Sequence, residues 1–174
     1  DPRKNVSMLL DAFARIRAAR PELKLVIIGD RPSPAQQRQT QRLQLDGSVL
    51  YLPPKPPSEL IPFYQAAELF VLSSTQEGLA ISMLESLACG LPVVATRCGG
   101  PEGVIRNDET GLLVPNDNAA AFAEGVLSLL HDPARATAMR KRAAGFAQAN
   151  VAQPLIANQL RKSLGHVYPQ HFDA

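Results

Sequence analysis

The sequence of 174 residues contains no tryptophan, and its aromatic residues make up only 5% of the chain. Proteins that bind single-stranded nucleic acid without sequence preference stack the bases on aromatic side chains, and few are available here. The formal net charge of +2 is too small to indicate binding to nucleic acid or to an anionic membrane. No apolar run reaches the roughly 20 residues of a membrane-spanning helix. We therefore expect no nucleic-acid partner.

Cysteine and histidine are also scarce, with two and three residues respectively. Cys89 falls within an apolar helical pattern and Cys98 follows a predicted strand, and their spacing is not that of a zinc knuckle or a redox pair. His131 is predicted at the end of a helix, whereas His166 and His171 lie in the carboxyl-terminal tail. Because nothing groups these side chains, we expect buried free thiols and no metal site.

Short apolar runs alternate with helical patterns along the chain, which is typical of a parallel sheet covered by helices on both faces. Apolar residues make up 45% and charged residues 20%, the balance of one globular domain with a substantial core. Five runs predict strands, at 23–29, 48–52, 69–74, 92–97 and 111–115. Helices are predicted between them and from residue 118 onward, with a break at 132–133 and a final helix over 153–164.

The chain opens with "DPRKN" and enters a predicted helix with no strand before it. In a doubly wound sheet the first strand is central, flanked by the second and the fourth. We therefore expect an α/β fold with a Rossmann-like doubly wound parallel sheet that lacks its first strand. Residues 1–174 would form a single domain, cut from a larger protein just past that strand.

The stretch "TQEGLAISMLESLACGLPVVAT" places Glu77 in a loop and Glu85 eight positions later, about one turn into a helix. At a strand-to-helix turn on the carboxyl edge of a parallel sheet, free N–H groups and the helix dipole favour an anion. Gly78 would let a phosphate approach the backbone, and Leu79 and Ala80 would add N–H groups. Since carboxylates repel phosphate, the glutamates should bind hydroxyls on either side of a diphosphate. The pattern predicts a nucleotide-sugar site.

The segments "EGLAISMLESLACGLPVVATRCGGPEGVI" and "ETGLLVP" resemble the signature of the group-1 glycosyltransferases, retaining enzymes of the GT-B fold in sugar-transferase family four. Their E-x7-E motif matches Glu77 and Glu85, and their GG…PE turn matches residues 99–102. Upstream, "LKLVIIGD" is similar to the family's second strand and "RKNVSMLLDAF" to its first helix. The resemblance runs from about residue 3 to the mid-140s and depends on the ordered set of motifs rather than on any one of them.

The resemblance implies a role for each matching residue. Glu85 would hold the ribose hydroxyls of the donor, Glu77 would hold the transferred sugar, and Lys4 would neutralise the diphosphate and help the leaving group depart. The backbone groups that would meet the diphosphate belong to Gly78, Leu79, Ala80 and Ile81. The loop at Pro54 and Lys55 falls where the family lays the nucleobase. Glu77 and Lys4 are the catalytic candidates, and no metal or other cofactor is expected.

The implied protein is the carboxyl-terminal, donor-binding half of a retaining glycosyltransferase, inactive without its absent amino-terminal acceptor domain. The whole enzyme would transfer a sugar from a nucleotide-diphosphate sugar to a glycan or lipid-linked acceptor in the synthesis of cell-envelope polysaccharide. Its expected location is the cytoplasm, with peripheral attachment to the inner face of the membrane through the absent domain left open.

Several alternatives stay open at this stage. The whole protein could be a nucleotide-sugar epimerase of the same fold, or a non-catalytic module that kept the donor site for binding. At the residue level, both glutamates could be solvated acids favoured by the helix dipole, and Lys4 could be an ordinary surface lysine. Glu102 could cap the next helix or line the cleft, Gly99 and Gly100 could serve a turn that needs positive φ, and Asp30 is expected to cap a helix.

Overall fold

The computed structural model describes residues 1–150, which form six α-helices, five parallel β-strands and two single turns of 3-10 helix. The helices are α1 (Val6–Ala19), α2 (Pro34–Arg42), α3 (Pro57–Ala66), α4 (Ile81–Ala88), α5 (Ala119–Leu130) and α6 (Pro133–Asn150). The strands are β1 (Leu25–Ile28), β2 (Val49–Leu52), β3 (Phe70–Leu72), β4 (Val93–Thr96) and β5 (Gly111–Val114). The 3-10 turns are Pro2–Lys4 and Pro101–Gly103. All five predicted strands are confirmed, and the final predicted helix lies outside the described residues.

Short polar side chains determine where the helices begin. Asn5 caps α1 by accepting a hydrogen bond from the Met8 N–H, and Asn118 caps α5 in the same way. At α2 the cap is a reciprocal box, in which Ser33 and Gln36 each bond the other's backbone N–H. The expectation that Asp30 would cap a helix was wrong, because Ser33 stands next to the first helical residue and has a favourable partner three positions on.

The strands form two parallel sheets, β1–β2 and β3–β4–β5, with β4 in the middle of the second and buried along its whole length. Within residues 1–150 no strand of one sheet is hydrogen-bonded to a strand of the other. A doubly wound order has a further strand between the positions that β1 and β3 occupy. The arrangement is therefore that of the predicted sheet without its first strand.

One core nevertheless joins the two sheets. Leu25 of β1 and Val49 of β2 belong to the same buried cluster as Val94 of β4 and Leu112 of β5. Helices α1 and α5 cover this cluster on one face, while α4 and α6 cover a second cluster on the opposite face of the β3–β4–β5 sheet. The two sheets thus share one core, and the loops that carry the candidate site follow the carboxyl ends of their strands.

Apolar side chains remain exposed where the β1–β2 half lacks a second covering layer. Val26 and Leu50 are 42% and 43% exposed, and Ile61 of α3 is 46% exposed. Helix α3 buries none of its residues in the core. Across the described residues, no helix is both long and apolar enough to cross a lipid bilayer.

Replacing Phe122 by alanine should lower the free energy of unfolding by about 3–5 kcal/mol, because this fully buried ring would leave a cavity between α5 and the sheet. Ile61→Ala is the control and should change it by about 0.5 kcal/mol or less, since Ile61 lies on an exposed surface. Urea unfolding followed by circular dichroism measures both. Equal losses in the two variants would contradict the described core.

Candidate functional site

The loop between β3 and α4 is fastened to the loop that follows β4 by backbone hydrogen bonds. The Glu77 N–H donates to the Cys98 carbonyl at 3.0 Å, and the Gly100 N–H donates to the Glu77 carbonyl at 2.7 Å. Glu77 and Gly99 therefore pair in parallel, as two strand residues would. This short pairing extends the sheet beyond its strands and fixes the backbone from which the Glu77 side chain projects.

The Gly99–Gly100 pair makes this approach possible for two different reasons. Gly99 has φ +108, in the left-handed region that glycine favours. Gly100 has an ordinary φ, but a Cβ there would lie 1.7 Å from the Gly78 carbonyl oxygen. The prediction of a positive-φ turn is thus confirmed for Gly99, whereas Gly100 is needed because two backbones touch.

Glu102 stabilises the same turn. One of its carboxylate oxygens accepts hydrogen bonds from the Cys98 N–H at 3.2 Å and from the Gly99 N–H at 2.9 Å. Bonds from two N–H groups to one charged acceptor are stronger than neutral ones. Glu102 therefore holds the turn that positions Glu77, and it also lines a cavity beside that turn.

Lys4 and Glu77, which the sequence singled out separately, form an ion pair. The Lys4 Nζ donates to the Glu77 Oε2 at 2.6 Å, and the Ser74 hydroxyl donates to the same oxygen at 3.2 Å. The Glu77 side chain is only 17% exposed, whereas that of Lys4 is 49% exposed. The Lys4 hydrogen bond holds the pKa of Glu77 below its ordinary value, although burial of the carboxylate opposes this shift. Glu77 is therefore maintained as an anion.

The backbone around Lys4 is bound to the end of β3. The Ser73 hydroxyl donates to the Lys4 carbonyl at 2.7 Å, and the Thr75 N–H donates to the Arg3 carbonyl at 2.7 Å. Asn5 adopts φ 46, a conformation that asparagine tolerates better than most residues. These contacts place a lysine from the start of the chain against a glutamate 73 positions away.

Four successive N–H groups at the start of α4 are left without acceptors among residues 1–150. They belong to Gly78, Leu79, Ala80 and Ile81. No capping side chain covers this helix start, and a Cβ added at Gly78 would meet nothing within 4 Å. Unpaired N–H groups at a helix N-terminus can donate hydrogen bonds to an anion, which the helix dipole also favours. The free N–H groups expected at this turn are therefore present, and their binding to a diphosphate stays a prediction.

Glu85 lies in a separate hydrogen-bonded group on α4. The Tyr64 hydroxyl of α3 donates to its Oε2 at 2.9 Å. Burial raises the pKa of Tyr64, and the hydrogen bond to the Glu85 carboxylate raises it further. The Tyr64 hydroxyl therefore keeps its proton at neutral pH and is the hydrogen-bond donor to Glu85. It was not identified from the sequence, where a tyrosine in an amphipathic helix carries no signal of its partner.

Within residues 1–150, no hydrogen bond or ion pair joins Pro54 or Lys55 to either glutamate. The Lys55 Nζ pairs with the Glu59 carboxylate at 3.0 Å and lies 5.7 Å from the centre of the Phe63 ring. Pro54 is exposed. Their place at the carboxyl end of β2 agrees with the expected position of a nucleobase loop, but the structure itself shows only the local contacts of α3.

A cavity of about 490 Å³ lies beside the two glutamates rather than over them. Its walls include Leu79, Leu84, Glu102 and Phe146, but neither Glu77 nor Glu85. No group of three or more possible metal ligands occurs within residues 1–150.

Both cysteines are free thiols, as predicted. Cys98 is buried and Cys89 is half-buried, and burial raises the pKa of each thiol. Neither is a reactive thiolate at neutral pH. They are therefore set aside as candidates for the chemistry of the site.

The sequence model of the family described as "Glycosyl transferases group 1" matches residues 1–146. The chain belongs to this family. D-inositol 3-phosphate glycosyltransferase of Pseudarthrobacter chlorophenolicus is 33% identical over 178 residues, which cover 95% of this chain and 42% of that protein. The chain thus spans about two fifths of the length of that curated relative.

Two solved structures show the same fold. Sucrose-phosphate synthase from Thermosynechococcus elongatus is 30% identical, with a TM-score of 0.83 over 99% of this chain and 43% of its own. Anabaena HepE, solved in complex with UDP, is 22% identical, with a TM-score of 0.86 over 95% of this chain and 46% of its own. The predicted fold, the carboxyl-terminal domain of a GT-B glycosyltransferase, is confirmed.

Replacing Lys4 by methionine should raise the pKa of Glu77 towards that of an ordinary glutamate. Because the folded-state pKa of Glu77 lies below its unfolded value, the pair adds stability above the unfolded pKa, and this contribution is lost as the pH falls through the folded pKa. The variant should therefore lose less stability than the unaltered protein between neutral pH and pH about 3. NMR titration of the Glu77 carboxyl and thermal unfolding at the two pH values measure this.

Lys24→Met is the matched control, since the Lys24 Nζ donates to the Gly47 carbonyl rather than to a carboxylate. It should leave the Glu77 titration unchanged. An unshifted Glu77 pKa in the Lys4 variant would show that the ion pair does not persist in solution.

Replacing Gly100 by alanine should displace the Glu77–Gly78 backbone, because the new Cβ overlaps the Gly78 carbonyl. We expect a loss of about 1–3 kcal/mol in unfolding free energy and shifted amide signals at both residues. Gly103→Ala is the control, since a Cβ there meets nothing within 4 Å. Equal behaviour of the two variants would refute the close backbone contact.

Proposed function

We propose that this chain is the donor-binding domain of a retaining glycosyltransferase, which transfers a sugar from a nucleotide-diphosphate sugar to a glycan or lipid-linked acceptor. The observation that carries the proposal is the row of unpaired N–H groups at 78–81, placed between two carboxylates that are each fixed by a different partner. The UDP-bound structure of HepE, a protein of the same fold, supports a nucleoside diphosphate as the ligand.

The diphosphate of the donor would lie against the N–H groups that open α4. These groups, together with the positive end of the helix dipole, stabilise a phosphate without any conformational change in the backbone. Lys4 has three N–H donors, of which Glu77 takes one in the structure. The others would be free to bond a phosphate oxygen. Lys4 would thus connect the diphosphate to the residue that holds the sugar.

The two carboxylates would bind the hydroxyls at the ends of the donor. Glu77, kept ionised by Lys4, would accept hydrogen bonds from the transferred sugar. Glu85 would accept them from the ribose. A carboxylate can accept from two neighbouring hydroxyls at once, and charge-assisted bonds of this kind are roughly twice as strong as neutral ones. The two ends of one ligand would therefore be recognised by different residues.

Transfer with retention would break the bond between the anomeric carbon and a diphosphate oxygen while the acceptor hydroxyl adds to the same face of the sugar. The acceptor proton would pass to the departing phosphate oxygen, so that charge and atoms balance. Lys4 and the open helix start would stabilise the negative charge that develops on the diphosphate. Because they supply the positive potential that a divalent cation supplies in many phosphoryl-transfer sites, we propose a reaction that requires no metal.

The acceptor and the remainder of the site would come from an amino-terminal domain facing this edge. The relative from Pseudarthrobacter is named for D-inositol 3-phosphate, but the matched region corresponds to the donor half, which would not select the acceptor. We therefore retain the broader class of glycan or lipid-linked acceptors, in the cytoplasm and at the inner face of the membrane.

The test compares nucleoside diphosphates with nucleotide sugars in the intact protein. UDP, UDP-glucose, UDP-N-acetylglucosamine, GDP-mannose and ADP-glucose are screened by thermal stabilisation, because a ligand that binds only the folded state raises the melting temperature. Glu85→Ala should lower the affinity for the nucleoside diphosphate and for the nucleotide sugar alike, by about 10-fold or more, since the variant loses charge-assisted hydrogen bonds to the ribose. Glu77→Ala should leave the affinity for the nucleoside diphosphate unchanged. It should reduce the gain in affinity that the attached sugar gives, and it should lower the rate of sugar transfer.

Glu22→Ala is the control, since Glu22 pairs with Arg20 before the amino end of β1, at the opposite end of the strands from the candidate site. Failure of every nucleotide to stabilise the protein would refute the proposal. Conversion or hydrolysis of the nucleotide sugar without an acceptor would favour an epimerase, and binding without any transfer would favour a non-catalytic module.

A further inference from the structure

Tyr64 makes the one side-chain hydrogen bond between α3 and α4 within residues 1–150. Its hydroxyl reaches the Glu85 Oε2 at 2.9 Å, from a position 21 residues earlier in the chain. The ring packs edge-on against Phe70 of β3, with the centroids 6.1 Å apart. A tyrosine held by its ring and bonded through its hydroxyl is a rigid support, because both of its ends are fixed.

Resting on the proposed function, we infer that Tyr64 is a positioning residue for the ribose of the donor. Its hydroxyl holds the Oε2 of Glu85, and the Oε1 of the same carboxylate is thereby directed to the ribose hydroxyls. Within residues 1–150 the Oε1 has no hydrogen-bond partner. Tyr64 thus contributes to the discrimination between ribonucleotides and deoxyribonucleotides without touching the ligand.

The physical reason is conformational entropy. A free glutamate side chain samples many rotamers, and fixing it in one of them costs conformational entropy. Because Tyr64 fixes the Glu85 side chain before the donor binds, this loss of entropy does not reduce the affinity for the donor. The direction of the bond is settled as well, because burial and the neighbouring carboxylate keep the Tyr64 hydroxyl protonated.

A competing role would have Tyr64 occupy the acceptor that the ribose needs, in which case its removal would strengthen binding. Two observations favour positioning. A carboxylate offers about four lone-pair sites, and one hydrogen bond leaves most of them available. The Tyr64 ring is also packed against Phe70, so the position from which its hydroxyl donates to Glu85 is fixed. The two roles predict opposite signs, which makes them separable.

The test is Tyr64→Phe in the intact protein, with UDP and 2′-deoxy-UDP as probes and isothermal titration as the measurement. GDP and 2′-deoxy-GDP take their place if the thermal screen selects guanine. The variant keeps the ring against Phe70 and removes only the hydroxyl. We expect the dissociation constant of the ribonucleotide to rise about 5-fold, and that of the deoxyribonucleotide by about 2-fold or less. The ratio of the two constants within one protein does not depend on the folded fraction.

Tyr51→Phe is the matched control. The Tyr51 hydroxyl lies 3.4 Å from the Thr40 hydroxyl, and Tyr51 packs against the first buried cluster, whereas α4 belongs to the second. Loss of this hydroxyl should leave the ratio unchanged. In turnover, Tyr64→Phe should raise the donor KM about 5-fold and leave kcat within about 2-fold, because the ribose is remote from the reacting carbon. A merely structural role would not divide KM from kcat in this way.

The outcomes distinguish failure of the Tyr64 role from failure of the proposed function. Normal ribonucleotide binding with an unchanged ribo-to-deoxy ratio in Tyr64→Phe overturns the positioning role and leaves the proposed function standing. Tighter binding by the variant overturns it in favour of competition. Absence of nucleotide binding by the unaltered protein overturns the proposed function, and the role of Tyr64 with it.

Discussion

The contact between two backbones, Glu77–Gly78 and Gly99–Gly100, is the constraint on which the rest of the site depends. Two hydrogen bonds and a carbonyl that leaves no room for a Cβ join them. Glu102 holds the far side of the turn through two further N–H groups. Because both segments follow neighbouring strands of one sheet, β3 and β4, the position of the Glu77 carboxylate is set by the sheet itself. A mobile loop would not keep the Glu77 carboxylate and the free N–H groups of α4 in constant relation.

Electrostatics adds a second constraint at the same place. A carboxylate beside a phosphate site is repulsive, yet the structure puts Glu77 immediately before the open helix start. The cost is reduced because Lys4 neutralises it at 2.6 Å and Ser74 donates to the same oxygen. The proposed donor would bring two hydroxyl-rich sugars and one anionic diphosphate. Under the proposed function, Lys4 would bind the diphosphate while still pairing with Glu77, so that one lysine would serve both groups.

The sequence predicted the parts of this arrangement that depend on local patterns. Apolar runs located all five strands, and the ordered motifs located Glu77, Glu85 and the free backbone between them. It did not predict the partners, because Tyr64 and Glu85 are 21 positions apart and Lys4 and Glu77 are 73 apart. Such contacts are decided by how helices and loops pack, which leaves no local periodicity. The failure at Asp30 has the opposite cause: two nearby residues were able to cap α2, and geometry chose Ser33.

The residues expected to contact the two parts of the proposed ligand lie on different sheets. The loop at 54–55, expected to meet the base, follows the β1–β2 half, whereas Glu77 and Glu85 follow the β3–β4–β5 half. Within the part of the chain described, α1 and α5 join the halves through the shared core, and α3 reaches α4 through Tyr64. Since α3 buries nothing in the core, its orientation relies on few contacts. Under the proposed function, the Tyr64 hydroxyl would link the helix that follows the base loop to the carboxylate that binds the ribose, so that the two parts of a nucleoside would be recognised jointly.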